Sequence, residues 1–220
     1  MSITVVTPAP DQLLTSIDAV KLTLDLSGVS KDNLLEDLIR AASDWVSRYC
    51  GRTFGKEEVT EKVVGKGVPE ILLSRTPIVS ISEVLYKGSV QDGVVIQDSQ
   101  AGIVFLDTGF TSSEISFNTI TPHPSSYGRE DWSFTYEGGY VLPSWFVTGE
   151  ERNLPYDLER AVINLVKTSY HKVDIDETLK SYRIGDTTIT WANANEAIGT
   201  VGASMPGSAR DVLNYYRRAF

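Results

Sequence analysis

Few residues in this chain could carry chemistry, and their spacing argues against most of it. There are two histidines and one cysteine. His123 stands between Pro122 and Pro124. His171 closes an apolar-periodic stretch, where a cation complements a helix dipole. Two histidines and Cys50 fall short of the four ligands of a usual zinc site, and HExxH is absent. The run DIDET carries Asp174, Asp176 and Glu177 but lacks the glycine and distal glutamate of a calcium loop; it reads as a solvated turn. Gly51 to Lys56 is one residue short of a phosphate loop, with Glu57 where the magnesium-binding hydroxyl belongs. Gly202 to Gly207 is one residue too long for a nucleophile elbow. No GxGxxG follows a strand-like run. Carboxylates are plentiful, so a small carboxylate-dependent hydrolase is the enzymatic alternative, with no pair singled out. No cofactor and no metal are expected.

The chain as a whole has 220 residues, enough for one large domain or two small ones. It is 41% hydrophobic and 22% charged, near the globular average, which argues against wholesale disorder. The formal charge is −9. An acidic chain does not grip nucleic acid across its whole surface, though DNA can slide past it. A lone cysteine cannot form an internal disulfide. The first residues, MSITVVTPAPDQLL, have no basic region and no long apolar run, and no stretch approaches the roughly 18 apolar residues of a membrane span. The expectation is a soluble protein made in a cytoplasm, with no membrane partner.

The elements that must position these residues fall into three stretches. Residues 1–54 read as an N-terminal arm and bundle helices. Pro8 and Pro10 make residues 1–14 an extended arm without regular structure. Thr15 or Ser16 can cap a short helix that stops at Gly28, and Ser30 can cap the next, ended by Gly51. In that second helix Leu35, Leu38, Ile39, Ala42, Trp45, Val46 and Tyr49 form a stripe at helical period. Residues 55–150 are rich in Val, Ile, Thr and aromatics and are cut by Gly and Asp turns. The pattern predicts short antiparallel strands near 58–64, 70–74, 78–87, 94–97, 102–106, 115–118 and 132–137, with an exposed loop at 118–131. Residues 151–220 open with a helix started by Pro155, whose face carries Leu158, Ala161, Val162, Leu165, Val166, Ser169 and Tyr170. A hairpin around Gly185 and Asp186, a flexible linker and a helix capped by Ser208 follow. The fold class is therefore α+β: a small helical bundle core with a large inserted antiparallel β-rich region and a C-terminal helix. The core is predicted to hold Leu38, Ala42, Trp45, Val46 and Tyr49 of one helix against Leu158, Val162, Leu165 and Val166 of the other, because neither stripe can bury its face alone.

The order of pieces around the two stripes carries a resemblance. LLEDLIRAASDWVSRYCGRTF ends a helix in an aromatic-Cys-Gly-Arg turn, and SRTPIVSISEVLYKG introduces a strand with Arg-x-Pro-Ile. YEGGYVLPSWF then leads to PYDLERAVINLVKTSYHK, followed by SYRIGDTTITW and a last helix with LNYYRR. The series resembles the head–tail connector proteins (adaptor, or head-completion, proteins) of tailed bacteriophages and related gene-transfer particles. That resemblance implies a structural ring subunit of the virion neck, commonly twelvefold. Its partners would be other copies of itself, the portal protein above, and tail or stopper and tail-terminator proteins below. Genomic double-stranded DNA would pass through without specific binding. Another tail-completion ring protein is the nearest alternative. The roughly 90-residue β insert departs from the mainly helical family pattern. Twelve copies at −9 each would carry roughly −108, and a duplex with about one negative charge per 1.7 Å of axis would not stick to them.

Two segments are the expected contact sites. The C-terminal helix carries Arg210, Tyr215, Tyr216, Arg217, Arg218 and Phe220, a basic and aromatic set of the kind found at interface hot spots, expected to meet the portal. The loop set Pro122, His123, Pro124, Tyr127 and Arg129 is expected to meet a neighbouring subunit or the tail.

Overall fold

The computed structural model describes residues 2–111, 130–144, 151–173, 181–184, 187–190 and 207–218. The chain forms two compact units. Met1–Pro10 and Thr53–Val141 make a β unit; Asp11–Arg52 and Leu142–Phe220 make a helical unit. The α+β class and the antiparallel sheets agree with the sequence reading.

In the helical unit, α1 (Ile17–Leu24) starts at Ser16, whose hydroxyl accepts from the Ala19 amide. It ends earlier than Gly28. Asp25 takes a left-handed conformation (φ 54°) and its N–H bonds the Lys21 carbonyl, closing the helix there. The next helix, α2 (Asp32–Cys50), has Lys31 rather than Ser30 at its cap position, with no side-chain cap bond. A turn leads in instead, with the Asp32 amide donating to Val29 O at 3.2 Å. Gly51 (φ 64°) ends it in the left-handed region, as a glycine there should. Helix α3 (Tyr156–Val173) packs against α1, α2 and α4 (Gly207–Tyr216). A helix with neighbours on several sides buries several faces. Leu158, Ala161, Val162, Ile163, Leu165 and Val166 are all buried. So is Glu159, whose carboxylate accepts from Arg152 Nη1 at 2.6 Å and from Thr15 Oγ1 at 3.2 Å.

The buried stripe of α2 differs from the expected one. Leu35, Ile39, Ala42, Ser43, Val46 and Cys50 are buried, while Leu38, Trp45 and Tyr49 are half-buried. The face is rotated towards its small residues, which let a neighbouring segment approach closely. There Ser43 Oγ accepts from the Leu14 amide at 3.1 Å. The displaced rings of Trp45 and Tyr49 stack on each other, centroids 5.0 Å apart. The strands β9 (Ser181–Ile184) and β10 (Thr187–Thr190) form the expected hairpin. Gly185, Asp186, the DIDET turn and the flexible linker lie outside the described residues.

The β unit holds β1 (Ser2–Thr7), β2 (Glu57–Val63), β3 (Val68–Leu72), β4 (Ile78–Tyr86), β5 (Ser89–Val90), β6 (Val95–Asp98), β7 (Ile103–Phe110) and β8 (Trp132–Gly138). One sheet has the order β1-β2-β8-β4-β5 and the other β3-β7-β6. The arm expected to be irregular is therefore a strand: Pro8 and Pro10 fall just after it and punctuate rather than prevent it. The expected strand at 115–118 lies outside the described residues. Alternation puts Val59, Val63, Val84, Trp132, Phe134 and Tyr136 of the first sheet against Val104, Leu106 and Phe110 of the second in one core. Phe110 meets Trp132 edge-on at 4.9 Å.

The insert closes on itself at its base. The Tyr140 amide donates to Phe54 O at 2.7 Å, and the Lys56 amide donates to Tyr140 O at 2.8 Å. A Cβ at Gly139 would stand 2.4 Å from the Gly55 carbonyl, so this clasp needs glycine.

Candidate functional site

The C-terminal helix shows how its residues divide. Ala209 and Leu213 are buried. Tyr49 Oη donates to Asn214 Oδ1 at 2.7 Å, and Tyr216 Oη donates to Asp157 Oδ1 at 2.9 Å. The Arg218 amide donates to Cys50 O at 3.0 Å. The Cys50 thiol donates to Leu213 O at 3.6 Å. Burial pushes that thiol up to about 11, against the opposing charges of Arg52 and Arg217. The helix is thus docked on α2 and α3 of its own unit. Of the basic and aromatic set, Tyr216 is turned into this docking and Arg218 is half-buried. Arg210, Tyr215 and Arg217 are exposed, Tyr215 at 83%. The Arg217 guanidinium stands 5.7 Å from the Tyr49 ring centroid. Phe220 lies outside the described residues, as do Pro122, His123, Pro124, Tyr127 and Arg129. Arg210, Tyr215 and Arg217 are exposed but do not form one cluster: at 3.6 residues per turn Tyr215 projects about 140° round the helix from Arg210, and Arg217 lies just past the helix end.

Two carboxylates of the β unit are held in structural bonds. Glu57 and Glu61 lie on the same face of β2, both buried. Glu61 accepts from the Ser74 amide at 2.9 Å, the Ser74 hydroxyl at 2.7 Å and Tyr136 Oη at 2.6 Å. The Tyr136 oxygen accepts in turn from the Arg75 amide at 2.9 Å. Burial first, and the Glu61 charge second, push the Tyr136 hydroxyl far above its ordinary value, so it stays protonated. Glu57 accepts from Arg75 Nε at 3.1 Å. A buried carboxylate with this many donors is a structural anchor. It fixes the 73–77 turn to the sheet and presents no open oxygen to a substrate. His171 is exposed at the end of α3. Among the described residues no group of three or more His, Cys, Asp or Glu is placed to hold a metal ion. No helix among them is long and apolar enough to cross a membrane.

Sequence reasoning missed this buried network and the strand at the N-terminus. The network had a faint signal. Glutamates at Glu57 and Glu61 occupy the same alternating face as Val59 and Val63, where polar residues are out of place unless partnered.

Three solved structures share the fold across 100% of this chain and 97% of theirs. A chain in the neck of an empty gene transfer agent (GTA) particle, computed with C6 symmetry, has a TM-score of 0.57 at 15% identity. One in the neck of the native GTA particle, computed with C12 symmetry, has 0.56 at 14%. One in the virion of the native particle has 0.55 at 15%. No curated protein matches the chain. The head completion protein family (HCP) matches residues 13–219, from the segment before α1 to the end of the chain, and on that match this chain belongs to the head completion protein family.

Proposed function

We propose that this head completion protein is a structural, non-catalytic subunit of the phage neck. It docks under the portal as a ring, continues the DNA channel and offers the tail its attachment surface. The family match over 13–219 carries the reading. The ring is supported by the symmetric necks in which the same fold occurs, one of them computed with C12 symmetry. Its partners are further copies of itself, the portal protein, and tail, stopper or tail-terminator proteins. DNA passes through unbound, repelled by subunits of charge −9. The protein is made in the host cytoplasm and resides in the virion.

Within that reading, the exposed residues of α4 and of its C-terminal end, Arg210, Tyr215 and Arg217, meet the portal. Tyr216, Arg218 and Phe220 join them if the helix leaves its own bundle on docking. The loop residues Pro122, His123, Pro124, Tyr127 and Arg129 meet a neighbouring copy or the tail. In domain terms the helices within 1–54 and 151–220 build the ring together with the β-rich insert of 55–150, to which the arm's strand β1 is paired.

The experiment is particle assembly with and without the protein, followed by imaging of the neck. Without it, DNA-filled heads should accumulate without tails, and adding the protein should restore tail joining. Tails attached normally in its absence would refute the function. Restored joining by a chain lacking 208–220 would refute the portal role of α4.

A further inference from the structure

Among the described residues, the first sheet has two edges that are without a strand partner over part or all of their length. On one side, β1 pairs with β2, and all six of its residues are exposed. Ile3 and Val5 lie opposite the buried Glu61 and Val59, so they point to the core side of the sheet, yet they are 38% and 43% exposed. Edge strands are normally blunted by charge, proline or a cover. The sequence of β1, SITVVT, has none of the first two. On the other side, β5 pairs with Leu85 and Tyr86 of β4, and the Gln91 amide donates to Val84 O at 2.9 Å. The Ile78 amide is taken by Ser99 O at 2.9 Å. Between them, residues 79–83 of β4 have no backbone partner on their outer edge among the described residues.

These edges match. Every neighbouring pair from β1 through β2 and β8 to β4 is antiparallel, so β1 and β4 run in opposite directions. A copy carried around a ring keeps its strand directions, so its β1 meets the β4 of the copy before it in antiparallel sense. A ring contact joins two different patches of the subunit, and here are two different edges. Charge selects them as well. Copies of a chain at −9 repel one another, while Ser2 to Thr7 and Val79 to Ser82 carry no charge. Uncharged backbone can close on uncharged backbone.

We propose that β1 of one copy adds to the outer edge of β4 in the next, so that the sheet runs on from subunit to subunit. The proposal rests on the ring reading above. Main-chain hydrogen bonds supply the contact, as in other strand additions, and Ile3 and Val5 extend the apolar face already formed by Ile81 and Val84.

Disulfide trapping in assembled particles tests it. Within one copy β1 and β4 are three strand spacings apart, about 14 Å, twice the reach of about 7 Å that a disulfide allows. Any bond between them therefore joins two copies. Ser2→Cys or Thr4→Cys would be combined with Ser80→Cys or Glu83→Cys, four pairs that sample the registers on the outer face; Cys50 is buried. Oxidation should give a ladder of multimers from at least one pair and none from single variants. No ladder from any pair, in particles whose necks contain the protein, overturns the strand addition. Absence of wild-type protein from the neck would instead overturn the ring reading, a distinguishable result. As a second arm, Val5→Lys and Val79→Lys place a charge on each edge. Both should keep the wild-type urea midpoint and enter particles at least tenfold less well. Wild-type incorporation of both overturns the proposal.

Discussion

Replacing Tyr136 with Phe removes one oxygen from the centre of the β unit. That oxygen donates to Glu61 at 2.6 Å and accepts from the Arg75 amide at 2.9 Å. The bond to a carboxylate contributes about 1.5–3 kcal/mol, and leaving the amide without its acceptor costs about 1 kcal/mol more. Glu61 keeps its two bonds from Ser74, so it is weakened rather than orphaned. The loss should total about 2.5–4 kcal/mol. With a urea dependence of about 2–3 kcal/mol per molar, the midpoint should fall by about 1 M. Hydrogen exchange over β2 and β8 during the titration reads this unit alone. The variant should also change the alkaline limb. In the fold the hydroxyl stays protonated, while in the unfolded chain it ionises near its ordinary 10.0. Above that pH the unfolded state binds fewer protons, so this group's contribution is present below it and is lost as pH rises, by about 1.4 kcal/mol per unit. Tyr136→Phe should lack that component, with the remaining tyrosines common to both proteins. A midpoint shift under about 0.2 M with parallel alkaline slopes would refute the network as a stabilising element.

In the helical unit, Leu165→Ala should lower stability by about 2–5 kcal/mol through a cavity, whereas Trp45→Ala, at a half-buried ring, should cost less; equal costs in thermal melts would contradict the rotated stripe. Cys50 reports on α4: its buried thiol, held up to about 11, should react with a thiol reagent at pH 8 far more slowly than a free thiol. Deleting 208–220 should speed that reaction by at least tenfold, and portal binding should do the same if the helix leaves its bundle; an unchanged rate on binding means that it stays docked. Gly138→Ala would drive a Cβ to 2.4 Å from the Arg75 carbonyl, so the variant should melt several degrees lower; an unchanged melting curve would contradict the close approach.

Much of the architecture was legible because its signals are local and periodic. Gly51 stopped α2 where expected, and the β run between the two stripes followed from alternation and turn residues. What was illegible depended on partners distant in sequence. The stripe of α2 contained enough apolar residues for two overlapping faces. Ser43, accepting from the Leu14 amide, decided between them, and no periodicity in the helix marks that bond. β1 was misread because two prolines suggested irregularity, although its β-branched run pairs with a strand more than 50 residues away. At the candidate site, composition identified the basic and aromatic set on the last helix. Which members face outward was set by Asp157, Asn214 and Cys50, and only packing reveals that.

The clasp at the base of the insert has a bearing on the order in which the chain folds. Helices α2 and α3 must meet across about 105 intervening residues, an unfavourable loop to close early. Once Gly55 and Tyr140 are bridged, the effective loop shrinks to about 20 residues, which lowers the closure cost by about 1.5 kcal/mol. The β unit therefore acts as a staple for the helices on either side of it. A chain whose insert folds first presents its two bundle halves already close together, and a chain whose clasp is broken must find that contact by diffusion over the full length. The same short circuit would let one insert replace another in related chains at little kinetic expense, provided that the new one also brings its two ends side by side.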